Sequence, residues 1–169
     1  MDCKTDGELY QECFEKMYEI CKRNNWGDPF SYARSREILM SIQLRHKISE
    51  TYSGADGIES DGTEVEYKST IAKSICGTYS GISVKQNWEE QVKYIEKEKI
   101  GKYKYHYFAR FCEGKIVEIW RINGTDLIPI ILAKIKKAFD KQKNIVRADP
   151  RLSCLIKKKI IEKLGTKIL

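Results

Sequence analysis

Three side chains between residues 56 and 68 have types and spacing that suit hydrolytic chemistry. Asp56 precedes Glu66 by ten residues, and Lys68 follows two residues later, within "GADGIESDGTEVEYKST" at 54–70. In an extended segment alternate residues share a face, so Glu64, Glu66 and Lys68 project together while Val65 and Tyr67 take the opposite side. Two carboxylates and an ammonium on one surface suit a hard divalent cation. Mg²⁺ takes one or two protein carboxylates and completes its octahedron with waters and substrate phosphate. A neighbouring lysine could then orient or deprotonate an attacking water. The same alternation has a plainer reading, as charges on a solvated edge strand that discourage pairing with another chain.

The chemistry requires a turn that brings Asp56 alongside Glu66. "SDG" at 60–62 is a tight-turn signal, so 55–58 and 64–69 are expected to pair as a hairpin. Ahead of it the sequence predicts two helices. The first starts from Asp6 as N-cap and runs to about Asn24, with Leu9, Cys13, Met17 and Ile20 on a stripe facing the core. The second has Asp28 as N-cap and Pro29 in its first turn, and runs to about Ser49. After the hairpin, "GTYSGISV" at 77–84 reads as a loop feeding a short strand, and "NWEEQVKYIEKEK" as a helix capped by Asn87. "YHYFARF" and "KIVEIWRIN" are strands joined by the four-residue loop "CEGK". Two C-terminal helices follow, one capped by Thr125 or Asp126 and one formed by "CLIKKKIIEKL". The order ααβββαββαα implies an α/β fold: a central mixed β-sheet flanked by helices, with helices at both termini, in a single domain over 1–169. Its core is placed at about 30–120 and its C-terminal helices at about 125–165.

Asp56, followed by Glu66-Tyr67-Lys68, resembles the D…(D/E)xK signature of the PD-(D/E)xK nuclease superfamily, which includes many type II restriction endonucleases. The position usually held by proline is Ala55 here. The resemblance implies a restriction-endonuclease-like core and Mg²⁺-dependent hydrolysis of phosphodiester bonds, with Mn²⁺ as a substitute. It implies Asp56 and Glu66 as metal ligands and Lys68 as the residue that orients the nucleophilic water. Many members add a glutamate from the preceding helix, a role that falls on Glu37; the alternative for Glu37 is a surface ion pair with Arg34 or Arg36. Glu64 is the weaker carboxylate, an exposed strand residue. Type II enzymes cut double-stranded DNA as symmetric dimers, so a homodimer is expected. The runner-up activities are a structure-selective repair nuclease of the same core and a non-catalytic nucleic-acid-binding module.

Further residues suit the polyanion itself. Lys73, Tyr79, Ser80, Lys85, Gln86 and Arg110 are candidates for phosphate or base contacts. Gln91 and Tyr94 miss by one residue the QxxxY spacing of exonuclease-type members. His46, between Arg45 and Lys47, reads as part of a solvated basic face, and His106 as a structural strand histidine.

The whole composition agrees with a polyanionic partner. Among 169 residues the net charge is +7, with 41% hydrophobic and 33% charged residues. Six cysteines without any CxxC pair and only two histidines argue against a structural zinc site. The first ten residues have no apolar signal core and no run approaches a membrane span, so a reduced, cytoplasmic protein without a membrane partner is expected.

Overall fold

A capping box starts the first helix. Thr5 accepts a hydrogen bond from the Glu8 amide through its hydroxyl, and the Glu8 carboxylate accepts one from the Thr5 amide in return. The N-cap is therefore Thr5, and Asp6 is the first residue of helix α1 (Asp6–Arg23). The computed structural model describes residues 4–50, 54–142 and 150–169. The second helix, α2 (Arg34–Leu44), begins later and ends earlier than its apolar pattern suggests. Asp28 instead organises a turn, accepting from the Phe30 amide at 2.9 Å and the Ser31 hydroxyl at 3.2 Å, and Tyr32 adopts a positive φ of 50° that interrupts helical geometry. At the other end Arg45 is left-handed and the His46 amide returns to the Ser41 carbonyl. The chain then continues as a short strand, β1 (Lys47–Ile48).

The remaining elements are β2 (Gly57–Ile58), β3 (Glu64–Thr70), β4 (Cys76–Ser83), α3 (Trp88–Tyr94), a π-helical turn over Ile95–Lys99, β5 (Tyr105–Cys112), β6 (Lys115–Asn123), α4 (Gly124–Gln142), β7 (Arg151–Lys157), α5 (Lys158–Leu164) and β8 (Thr166–Lys167). A six-stranded mixed sheet runs β1-β2-β3-β5-β6-β8, with β3 and β5 parallel and the other neighbours antiparallel. Strands β4 and β7 form a second, two-stranded antiparallel sheet. Among the described residues the fold is thus α/β, with a mixed central sheet and five α-helices.

Three expectations change here. The stretch at 77–84 holds the expected strand, but with no loop before it: 77–83 is most of β4, whose glycines serve a register shift between Tyr79 and Ile82, where Gly81 has a φ of 64°. The segment 151–157 is a strand, not helix: Leu152, Cys154 and Ile156 are buried in strict alternation with exposed neighbours, and only Lys158–Leu164 is helical. The β5–β6 loop is tighter than four residues, because Glu113 and Gly114 both take positive φ and close a two-residue turn between paired Cys112 and Lys115.

Two cores sandwich the large sheet. Met40 of α2 meets Val65, Tyr67, Tyr107 and Ile119 on one face, while Phe108 and Ile122 on the other meet β4, β7 and Ile131, Ile135 and Phe139 of α4. Both faces of β5 are buried, with His106, Phe108 and Ala109 fully enclosed. Helix α1 contributes only Cys21, packed near Ile38 and Ile48. Its expected core stripe is uncovered: Leu9, Phe14 and Met17 are exposed, because no described element lies over them, and Phe14 stacks on Phe30 at 3.7 Å between ring centroids. Among the described residues no helix is long and apolar enough to cross a membrane.

Candidate active site

The acids are brought together by the β2–β3 pairing. Gly57 lies opposite Val65 and Ile58 opposite Glu64, and the reversal is closed by Glu59, with Gly62 at a φ of 88°. Just before β2, the Asp56 amide donates to the Val65 carbonyl at 3.0 Å, and its carboxylate accepts the Tyr67 amide at 2.7 Å. One oxygen of Asp56 is so fixed against the backbone of β3, which aligns it with Glu66. Lys68 pairs with Glu66 and also donates to the Tyr67 carbonyl at 3.0 Å. Its ammonium lies 5.1 Å from the centre of the Tyr79 ring.

β3 is not an edge strand. It is hydrogen-bonded on one side to β2 and on the other to β5, with Glu66 opposite His106 and Lys68 opposite Phe108. Glu66 and Lys68 are largely withdrawn from water, at 16% and 18% side-chain exposure. A solvated face that blunts a sheet edge does not describe them.

Holding these carboxylates together is costly. Burial first, and then the Glu66 charge, push the Asp56 carboxyl up to about 7; Lys68 acts in the opposite direction, and Glu37 adds to the rise. Glu37 projects from α2 and pairs with Arg34 at 3.4 Å, so its surface-pair role and its influence on Asp56 coexist. Glu64 is exposed on the same strand. Cavities open on either side of the cluster. One, of about 380 Å³, is lined by Asp56, Glu66, Glu98, Lys99, Lys102 and Tyr103 among others. The other, of about 270 Å³, is lined by Glu37, Lys68, Ser69, Thr70 and Thr78 among others.

The donor set fits Mg²⁺ or Mn²⁺. Among the described residues no group of three His, Cys, Asp or Glu side chains forms a cage for a metal ion. Mg²⁺ does not ask for one, since it is usually held by one or two carboxylates, waters and substrate oxygens. Asp56 and Glu66 supply the carboxylates, they face a polar cavity, and their mutual repulsion is what a cation relieves.

The network that supports Tyr67 is not visible in the sequence pattern. Tyr67 lies between Glu66 and Lys68 but points to the opposite face, where its hydroxyl meets His46 Nδ1 at 2.8 Å and Ser41 at 3.2 Å. His46 is therefore no solvated basic residue: burial holds its pKa below the usual value, and it packs edge-on to Tyr107 at 5.2 Å. Tyr107 in turn donates to Glu59 at 2.6 Å. A Cβ on Gly57 would collide with the Tyr67 hydroxyl and sit 2.7 Å from its Cζ. Gly57→Ala is expected to cost about 3 kcal/mol in urea unfolding, since the buried ring can move only by giving up both hydroxyl contacts. Tyr67→Phe in the same background should return part of that loss in a double-mutant cycle.

On the other face His106 is structural. Its Nε2 faces the Ile100 carbonyl at 3.0 Å and must carry the proton, so Nδ1 accepts from the Tyr79 hydroxyl at 2.7 Å. Burial holds this imidazole neutral, with its pKa lowered to about 4. Tyr79 is consequently withdrawn from the DNA-contact candidates, because at 2% exposure its ring belongs to the core and its hydroxyl is spent on His106. Ser80 and Gln86 are exposed, and Lys85 lies 4.1 Å over the ring of Tyr94. Lys73 and Arg110 stand apart from the acids, at the far end of β3 and β5, where Arg110 pairs with Glu118 at 3.2 Å.

The chain matches no protein-family model and no curated protein.

Proposed function

We propose that this protein is a Mg²⁺-dependent endonuclease that hydrolyses DNA phosphodiester bonds. The observation that carries the reading is the interior position of β3, which holds Glu66 and Lys68 beside Asp56 in a half-buried, polar recess. Holding two carboxylates side by side in a half-buried recess costs stability even with Lys68 beside them, and a site that takes up a cation explains why they are there. The fold supports the finer reading of a restriction-endonuclease-like core: α2 precedes the β2–β3 hairpin, α3 follows it, and β5 returns parallel to β3. A bound Mg²⁺ would lower the pKa of a coordinated water and neutralise charge on the phosphate. Asp56 and Glu66 are the residues that would hold it. Lys68, braced by Glu66 and the Tyr67 carbonyl, is placed to orient the attacking water and to stabilise charge on the phosphate oxygens. Glu37, paired with Arg34 on α2, adds its charge to the field at Asp56.

Within that chemistry the reading favoured is a restriction-type enzyme acting on double-stranded DNA as a homodimer. Plasmid DNA incubated with the protein and Mg²⁺ is expected to be cut, whereas Glu66→Ala leaves it intact. Wild type as inert as Glu66→Ala would sink the nuclease reading. Discrete fragments would assign a sequence-specific enzyme, and preference for branched or flapped DNA a structure-selective one.

A further inference from the structure

Beyond the C-terminal end of β3 a separate cavity of about 550 Å³ lies between α2, the β3–β4 turn and the β5–β6 hairpin. Leu39, Ile71 and Phe111 form its apolar lining, with the cations Arg36, Lys73 and Arg110 and one carboxylate, Glu113, around them. Ile71 is 78% exposed and Leu39 44% exposed. A single exposed apolar side chain is ordinary, but two around one cavity beside cationic groups form a surface with a ligand chemistry. No carboxylate of the described residues pairs with Arg36 or Lys73. An apolar wall beside three cations and a single carboxylate fits a flat base attached to a phosphate.

The cavity neighbours the recess beside Lys68. Thr70 and Glu37 line the recess beside Lys68, and their chain neighbours Ile71 and Arg36 line this one. From Glu66 to Ile71 the strand advances about 16 Å, a few nucleotides of extended backbone. On the opposite side of Glu66, Lys99 and Lys102 face the first cavity. Cations thus line both the cavity at Asp56 and Glu66, beside Glu98, and the cavity past the end of β3, where a phosphate backbone can meet them.

We propose that this cavity holds an unpaired nucleobase of the strand whose phosphate lies at Asp56 and Glu66. The inference rests on the endonuclease reading and gives it a substrate requirement: DNA must present a base free of its partner next to the cleavage point. A base still stacked in a duplex cannot enter without being turned out.

Binding is tested with Ca²⁺ in place of Mg²⁺, using a duplex with a single-stranded tail and the same duplex fully paired, each carrying 2-aminopurine. Ile71→Ser, a change at a water-exposed turn residue, is expected to weaken binding of the preferred DNA by about tenfold. A rise in 2-aminopurine fluorescence confined to the tail assigns the pocket to single-stranded DNA. A rise in the paired DNA assigns it to a base turned out of the helix. Ile71→Ser binding both DNAs as wild type does, with or without a fluorescence change, overturns the proposal, and so does the absence of a fluorescence change in either DNA. The two readings fail separately. Inertness of wild type in Mg²⁺ with the Ile71 effect intact removes the nuclease and keeps the pocket, while undiminished cutting and binding by Ile71→Ser do the reverse.

Discussion

At pH 8 and without divalent cation, Asp56→Asn is expected to be more stable than the wild-type protein, by about 2–4 kcal/mol, while losing DNA cleavage. The sign follows from the direction of the Asp56 shift. Its carboxyl is pushed up to about 7 in the folded protein by burial and by Glu66, whereas the unfolded chain titrates near the ordinary carboxylate value. Between about pH 4 and pH 7 the folded state therefore binds the extra proton, and stability falls as pH rises through that window. Asparagine is neutral at every pH and its carbonyl can still accept the Tyr67 amide, so the variant escapes the loss. Urea midpoints at pH 4 and pH 8 measure it: the two proteins should converge at pH 4 and separate at pH 8. Adding Mg²⁺ at pH 8 should raise the wild-type midpoint and leave that of Asp56→Asn unmoved. A variant less stable than wild type at pH 8 in the absence of metal would remove the electrostatic account of this site.

Lys68→Ala should slow single-turnover cleavage by about 10²–10³-fold, the usual cost of deleting one group that stabilises developing charge. It should also bind Mg²⁺ more tightly than wild type. Lys68 is the cation paired with Glu66, and its charge opposes the rise in the Asp56 pKa, so its removal leaves the carboxylates more strongly in need of a metal. Opposite movements of rate and metal affinity separate a lost catalytic group from a damaged fold, which would depress both. Titrating Mg²⁺ against the thermal midpoint alongside the rate measurement reads the two together.

Those residues were legible because strand alternation and a turn signal act over short distances. Asp56, Glu66 and Lys68 needed only the hairpin at 59–62, and that turn is written in Asp61 and Gly62. Contacts across longer separations left no such mark. His46 meets Tyr67 across a helix end and a strand register that the local pattern leaves open, and the basic residues around it suggested solvent instead. In 151–157 the lysines that follow disguised a plain two-residue period, while in β4 the glycines and serines hid how far the strand extends. The α1 stripe shows a different limit: periodicity reports that a helix has an apolar face, not that anything in the same chain covers it.

The parallel alignment of β3 with β5 has a kinetic consequence. Asp56 and Glu66 meet through a hairpin of short sequence separation, but the surroundings that dehydrate them depend on pairing Val65 with Tyr105, across β4 and α3. Loop closure of that length comes late, so the hairpin can form while its carboxylates are still hydrated and repel little. The energetic conflict between them is then met after the rate-limiting step. Relieving it should slow unfolding and leave the folding rate nearly unchanged. In this chain the acids oppose not the search for the fold but its persistence, and a cation held between them would lengthen the lifetime of a structure whose route of formation it leaves unchanged.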